Sequence, residues 1–351
     1  MNARKTIRRV RRPAALLAAL ALATASCSGL GPRHDGPPSG HFDGKRFFHE
    51  PPVHKGFFTF LRWQFTREPE GEWVQDLAPP GAPPPPARVE GDALKVTFVN
   101  HATVLLQTRG LNILTDPIWS ERASPFRRIG PQRHLAPGVA FDELPRIDVV
   151  LISHNHYDHM DLPTLSRLAE RDDPLFLVPL ANCYYVDRTG TDRCREFDWW
   201  ERFELPAGVV AHAVPARHWS RRGLFDTNRA LWSGWVIEAA HRVYFAGDTG
   251  YGDHFEAIRA RLGEPDLALL PIGAYLPRWF MAAQHISPGE AILAHDVLGA
   301  GVSMAMHHAC FELADEGQWQ AQETLEALLY DRPDRAEAFW MPAHGDSRRW
   351  E

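Results

Sequence analysis

The sequence predicts an α/β protein, a two-sheet sandwich flanked by helices, and three observations lead there. Short β-branched runs alternate with helical patterns over about 250 residues. Three of those runs follow one another closely after residue 94, as in a hairpin meander. Residues able to hold a metal stand at strand ends from 154 to 307 and must converge, so one domain, 93–351, is expected although 351 residues would allow two. In chain order, 95–99, 104–108 and 112–114 read as the meander. Residues 147–152, Ile-Asp-Val-Val-Leu-Ile, read as a buried strand. Asp161 and Pro163 suit the cap and first turn of a helix over 162–171. Apolar residues at 209–211, 243–246 and 302–306 read as further strands, and 254–261, 288–298 and 319–329 carry helical patterns. No internal repeat is visible at sequence level.

The densest chemistry is Ser153-His154-Asn155-His156-Tyr157-Asp158-His159, four metal-capable side chains between a strand end and a helix start. Such junctions commonly carry sites in layered α/β folds. His154 and His156 are two apart, so in extended backbone they point the same way. Asp158 and His159 follow the turn and face a second point. One short loop can thus serve two neighbouring metals, and imidazole with carboxylate suits zinc-like ions.

His154-Asn155-His156-Tyr157-Asp158-His159 resembles the H-x-H-x-D-H signature of the metallo-β-lactamase superfamily. The resemblance implies an αββα sandwich of two mixed β-sheets and three further ligands, each after a strand. His218, Asp248 and His307 stand in that order. Carried over, His154, His156 and His218 would hold one metal, Asp158, His159 and His307 the other, and Asp248 would bridge them; His308 competes with His307 for its role. The cofactors implied are two Zn2+, with other divalent transition metals as alternatives. Two such ions roughly 3.5–4 Å apart share an oxygen, making hydroxide available for attack on phosphorus or a carbonyl carbon.

Wider similarity narrows the family. Phe60-Leu61-Arg62-Trp63, Asn100-His101-Ala102-Thr103, Leu114-Thr115-Asp116-Pro117, Gly130-Pro131-Gln132-Arg133, Gly247-Asp248-Thr249-Gly250-Tyr251 and Pro271-Ile272-Gly273-Ala274-Tyr275 resemble the N-acyl-phosphatidylethanolamine-hydrolysing phospholipase D group. That implies phospholipid phosphodiesters as substrates. Asp116 would orient ligand loops, with strand-end capping as its alternative. Asp158 would steer the nucleophile's proton, and His285 would donate to a leaving oxygen. Tyr251, Tyr275, Trp279 and His308 would shape the substrate pocket. Two stretches depart from the pattern. Asn100-His101 stands for Gly-His, and His307-His308-Ala309-Cys310-Phe311 for His-Trp-Gly-Thr-Phe, which changes the wall of the site without removing a ligand. Alternatives are a lactonase or carboxyl-ester hydrolase on the same metals, or an envelope lipoprotein whose metal centre is structural.

The first 27 residues carry six Lys/Arg and no acid, then an uncharged Ala/Leu run, as in a signal peptide. That run is shorter than the roughly 20 apolar residues a span needs. Thr24-Ala25-Ser26-Cys27 resembles a lipoprotein cleavage site, with Cys27 lipidated and the protein held peripherally on an outer membrane, facing the periplasm. Without those residues 32 basic side chains face 44 acidic ones, a net of −12 that argues against nucleic acid. Arg127-Arg128 and Arg221-Arg222 are candidates for a local phosphate grip. Proline-rich 28–92 reads as a tether, interrupted by an aromatic run, 57–65, that either packs on the domain or lines a lipid entrance. Cys183 and Cys194 are candidates for a disulfide in an oxidising compartment, and His344 for a structural role. The pattern leaves the oligomeric state open.

Overall fold

Two seven-stranded sheets pack face to face in the computed structural model, which describes residues 31–50 and 57–351. The first sheet comprises β1 (Leu94–Asn100), β2 (Thr103–Thr108), β3 (Leu111–Thr115), β4 (Val149–Leu151), β5 (Leu175–Pro179) and β6 (Cys194–Phe197), in that order. The second comprises β7 (Arg202–Glu204), β8 (Val210–Val214), β9 (Gly234–Glu238), β10 (Arg242–Phe245), β11 (Leu267–Pro271), β12 (Val302–Met306) and β13 (Phe339–Trp340). The last strand, β14 (Ser347–Trp350), closes the first sheet beside β1. In both sheets antiparallel hairpins give way to parallel strands, at β3–β4 and at β10–β11. The two halves are therefore alike in topology, a likeness that leaves no trace as a sequence repeat.

The helices are α1 (Phe57–Thr66), α2 (Leu162–Asp172), α3 (Cys183–Val186), α4 (His254–Leu262), α5 (Arg278–Met281), α6 (Pro288–Leu298), α7 (Gln320–Leu329) and α8 (Pro333–Ala338). Strand alternation explains the layering. Val149 and Leu151 enter the core between the sheets with Phe98, Trp235 and Phe245, while Val150 points outward to Leu165 and Leu168 of α2. A strand buried on both faces needs apolar residues at every position, which is why 149–152 is an unbroken apolar run, with Asp148 only at its edge. Each such side chain contributes about 1.5–3 kcal/mol by leaving water. At α6, Ser287 and Glu290 cap each other and Gly299, at φ 64°, ends the helix.

Asp161 does stand before α2, but its carboxylate accepts from Trp119 and Ser120 and caps no helix amide. It thereby fastens the loop after β3 to the helix start. Part of the segment expected as a tether is packed: Phe42 and Phe47 are buried against Ala216, Leu231 and Trp232. The aromatic run is α1. Trp63 stacks on Phe280 with centroids 4.8 Å apart and donates to Asp315, whereas Phe58 and Phe65 are 83% and 85% exposed. Cys183 and Cys194 form a disulfide with Cα atoms 5.7 Å apart. Among the described residues no helix is long and apolar enough to cross a membrane. The expected signal segment and Cys27 lie outside the described residues.

Candidate metal centre

Four loops at strand ends bring the ligand-type residues together. After β4 the chain turns at once, with the amides of His159 and Met160 donating to the His156 carbonyl. This turn swings Asp158 and His159 away from His154 and His156. His218 follows β8, Asp248 follows β10 and His307 follows β12. Gly247, at φ 58°, lets the Asp248 loop pass Ser153: a Cβ there would lie 2.5 Å from the Ser153 Cβ.

The first group is His154, His156 and His218. His156 Nδ1 lies 2.8 Å from His154 Nε2 and 3.2 Å from His218 Nε2. Two nitrogens on one tetrahedral zinc, at bonds of about 2.0–2.1 Å, would lie about 3.3 Å apart. The second group centres on Asp158 Oδ2, which is 3.3 Å from His159 Nε2 and 3.5 Å from His307 Nε2. Asp248 stands between the groups. Its Oδ2 is 3.2 Å from His159 Nε2, 3.7 Å from His218 Nε2 and 4.0 Å from His154 Nε2, and its Oδ1 is 3.2 Å from His307 Nε2.

Neighbouring residues settle which ring nitrogen faces the site. His218 Nδ1 donates to the Gln284 carbonyl at 2.9 Å, which leaves Nε2 with its lone pair turned inward. His159 Nδ1 lies 2.6 Å from the Asp116 carboxylate, and His154 Nδ1 lies 2.9 Å from Ser153 Oγ, itself bonded to Asp116. Asp116 is fully buried and orients two imidazoles in this way.

The charge balance suits cations. Burial, with the neighbouring imidazoles, holds His154 well below the ordinary histidine range; burial also brings His156 down to about 4. Burial holds His218 well below it too. These are neutral donors. Burial alone would lower His159 and His307 as well, but Asp248 and Asp158 raise His159 well above its ordinary value and His307 to about 9. Desolvation opposes ionisation of Asp158 and Asp248, yet charge and hydrogen bonds from the facing histidines hold both well below the usual carboxylate range. The buried carboxylates thus demand positive charge between them, and protons on His159 and His307 supply it where metals would. His159 Nε2, His307 Nε2 and Asp248 Oδ1 are buried without a well-formed hydrogen bond, a state that ligation relieves. The donor set fits two zinc-like ions.

The other expected site residues scatter. His285 lies on the open side, with Nδ1 3.9 Å from Asp248 Oδ2 and its ring 5.1 Å from that of His218. His308 is buried beneath His307, beside Phe98, and joins no ligand group. Tyr275 belongs to the core under the helices of the second sheet, and the half-buried Tyr251 packs on Phe255 at its margin. Trp279 is 51% exposed, with the Arg62 guanidinium over its ring. His344 Nδ1 bonds to the Ala136 carbonyl. Arg222 lies over Tyr157 and donates to the Asn155 and Met160 carbonyls, so it fixes the metal loop and grips no phosphate, while Arg127 and Arg128 are exposed. His101 received no role from the sequence, yet it joins Asp158, His159 and His307. The motif at 100–103 marked the position, but a histidine in a turn, 57 positions from its partner, gives no local sign of what it contacts.

With this geometry in view, the model of the "Beta-lactamase superfamily domain" family matches residues 111–308. The chain is 36% identical over 253 residues to "N-acyl-phosphatidylethanolamine-hydrolyzing phospholipase D 1" of Caenorhabditis elegans, covering 69% of this chain and 71% of that one. It is 42% identical over 261 residues to an uncharacterized protein of Mycobacterium tuberculosis, covering 71% of this chain and 68% of that one. The fold is similar to that of an isothiocyanate hydrolase from Delia radicum gut bacteria, at 18% identity and a TM-score of 0.58 over 72% of this chain and 98% of that one.

Proposed function

The chain belongs to the metallo-β-lactamase superfamily of hydrolases, and from that premise we propose that it is a dinuclear zinc phosphodiesterase of phospholipase D type, acting on N-acyl-phosphatidylethanolamine-like phospholipids. The observation that carries the reading is Asp248, whose carboxylate stands within 4.0 Å of ligand nitrogens in both groups. A group that bridges two metals would stand there. The substrate class is supported by the phospholipase D relative at 36% identity.

When bound, two zinc ions supply Lewis-acid stabilisation of phosphoryl charge and a water acidified towards neutral pH. The rest is work for this chain's side chains. Asp158, 9% exposed, faces the open side of the centre, where its carboxylate steers a proton from the attacking oxygen. His285 adjoins the same opening and donates a proton to the departing alkoxide. Asp116 and the Gln284 carbonyl keep the imidazoles in the tautomers that present lone pairs inward. Phe58, Phe60 and Phe65 on α1 and Trp279 beside it are exposed, as suits the approach of an amphiphile.

Export as a lipoprotein is part of the same reading, supported by the Cys183–Cys194 bond, a feature of oxidising compartments. A labelled fatty acid is expected on the wild type and absent from Cys27→Ser; equal labelling of both removes the anchor from the account. The activity is tested with zinc-loaded protein on N-acyl-phosphatidylethanolamine, an aryl phosphodiester, a lactone and a carboxyl ester, each with and without chelation. Phosphatidate and an N-acylethanolamine are the expected products, lost on chelation. Rapid lactone opening with every phosphodiester intact would replace this reading by lactonase activity.

A further inference from the structure

We propose that His101 is a positioning residue of the second metal group, holding Asp158 and His307 in register across the two sheets; the inference rests on the dinuclear reading above. His101 occupies the turn between β1 and β2 of the first sheet. His307 follows β12 of the second sheet. Nothing covalent joins these points nearer than 206 positions along the chain. His101 bridges them through its carbonyl and its ring, and adds a bond to Asp158 on its own side.

Its Nε2 lies 3.2 Å from Asp158 Oδ2, the oxygen on which His159 and His307 converge. An N–H donated there restricts rotation of the carboxylate and leaves that oxygen directed at the ligand nitrogens. Its carbonyl accepts the His307 amide at 2.7 Å, which fixes where the chain leaves β12. Its ring packs against the His307 ring at a tilt of 40°, with centroids 4.0 Å apart, and meets Phe311 edge-on at 5.3 Å. The residue is 1% exposed, so no water competes for these bonds.

The backbone is consistent with a dedicated role. His101 has φ 47° and His307 has φ 59°, both in the left-handed region that non-glycine residues adopt at a cost on the order of 1–3 kcal/mol. Glycine would be cheaper in the turn but would bring no ring. His154, His156 and His218 have no contact with His101 among their hydrogen bonds or ring contacts. Loss of His101 is therefore expected to act on one metal and spare the other.

The test is zinc titration by calorimetry of the chelator-stripped full chain, with cobalt absorption as a second readout of ligand geometry. The wild type is compared with His101→Gln, which keeps an N–H near the Nε2 position, and His101→Phe, which keeps a ring but no donor. The wild type and His101→Gln should bind two ions alike. His101→Phe should bind the first as tightly and the second about 10–100-fold more weakly, the usual cost of losing a partner of a ligand. If His101→Phe fails to fold, as read by circular dichroism, His101→Asn, whose shorter amide falls short of Asp158 Oδ2, decides: a second-ion affinity about 10-fold or more below that of the wild type supports the role, and wild-type affinity overturns it. A second site of wild-type affinity in His101→Phe also overturns it. A wild type that binds fewer than two ions refutes the dinuclear reading first, and this inference with it.

Discussion

Stability of the metal-free protein should fall as pH rises through the alkaline range, with His307 and His159 both contributing and His307 giving the part that can be sized. This imidazole is 2% exposed, 3.2 Å from Asp248 Oδ1 and 3.5 Å from Asp158 Oδ2. Burial works against its protonation, but the two carboxylates raise it to about 9. An unfolded chain returns it to about 6.5. The folded state therefore keeps a proton that the unfolded state releases. The resulting stability is present in full below about pH 6.5 and is lost as pH climbs through about 9. At about 1.4 kcal/mol per pH unit the loss comes to about 3 kcal/mol, a large share of the roughly 5–15 kcal/mol that holds a domain folded. Urea denaturation in chelator from about pH 8 to about pH 10 follows the fall, above the range in which the lowered His154, His156 and His218 add stability as the unfolded chain's histidines lose their protons. Asp248→Asn removes the nearest negative charge and should flatten the fall. With zinc bound, cations replace the protons and the fall should vanish. A stability that is flat or rising over this range in the stripped wild type would refute the electrostatic account of the site.

Other outcomes follow from the same contacts. His156→Ala removes the nitrogen that both His154 and His218 approach, and metal analysis should show lost zinc together with lost turnover. Asp116→Ala strands donors of His159 and Ser153 in the core; zinc affinity should drop about 10–100-fold and thermal stability should fall by a few kcal/mol, on the order of 1–3 per stranded donor, as read by calorimetry. His285→Ala should cost about 10²-fold with N-acyl-phosphatidylethanolamine and little with an activated aryl phosphodiester, whose leaving group needs no proton; steady-state rates on both substrates decide it.

The residues legible in the sequence are those whose chemistry and position share a local cause. His154, His156, Asp158 and His159 follow a β-branched run, and the strand end itself predicts their convergence. His218, Asp248 and His307 stand at strand ends too, and the fold brings them to the same point. His101 stood in a recognisable motif but received no role, because its partners come from distant segments. Tyr275, four positions past the end of β11, packs in the core under the helices, a placement that its closeness to the site in sequence does not reveal. Asp161 has the right place and residue type for a cap, but the loop amides of Trp119 and Ser120 reach its carboxylate instead. Proline content made 28–92 look like a tether, and composition could not reveal that Phe42 and Phe47 find a receptive surface at Trp232. Such cases turn on which surface a segment meets, and that is a property of the assembled fold.

The central claim is that this centre directs water to phosphorus. Hydrolysis of N-acyl-phosphatidylethanolamine by the zinc-loaded protein in oxygen-18 water, followed by mass spectrometry of the products, tests it most directly. The account predicts one labelled oxygen in the phosphate of phosphatidate and none in the N-acylethanolamine. Label in a released fatty acid, with the phosphodiester uncut, would contradict it.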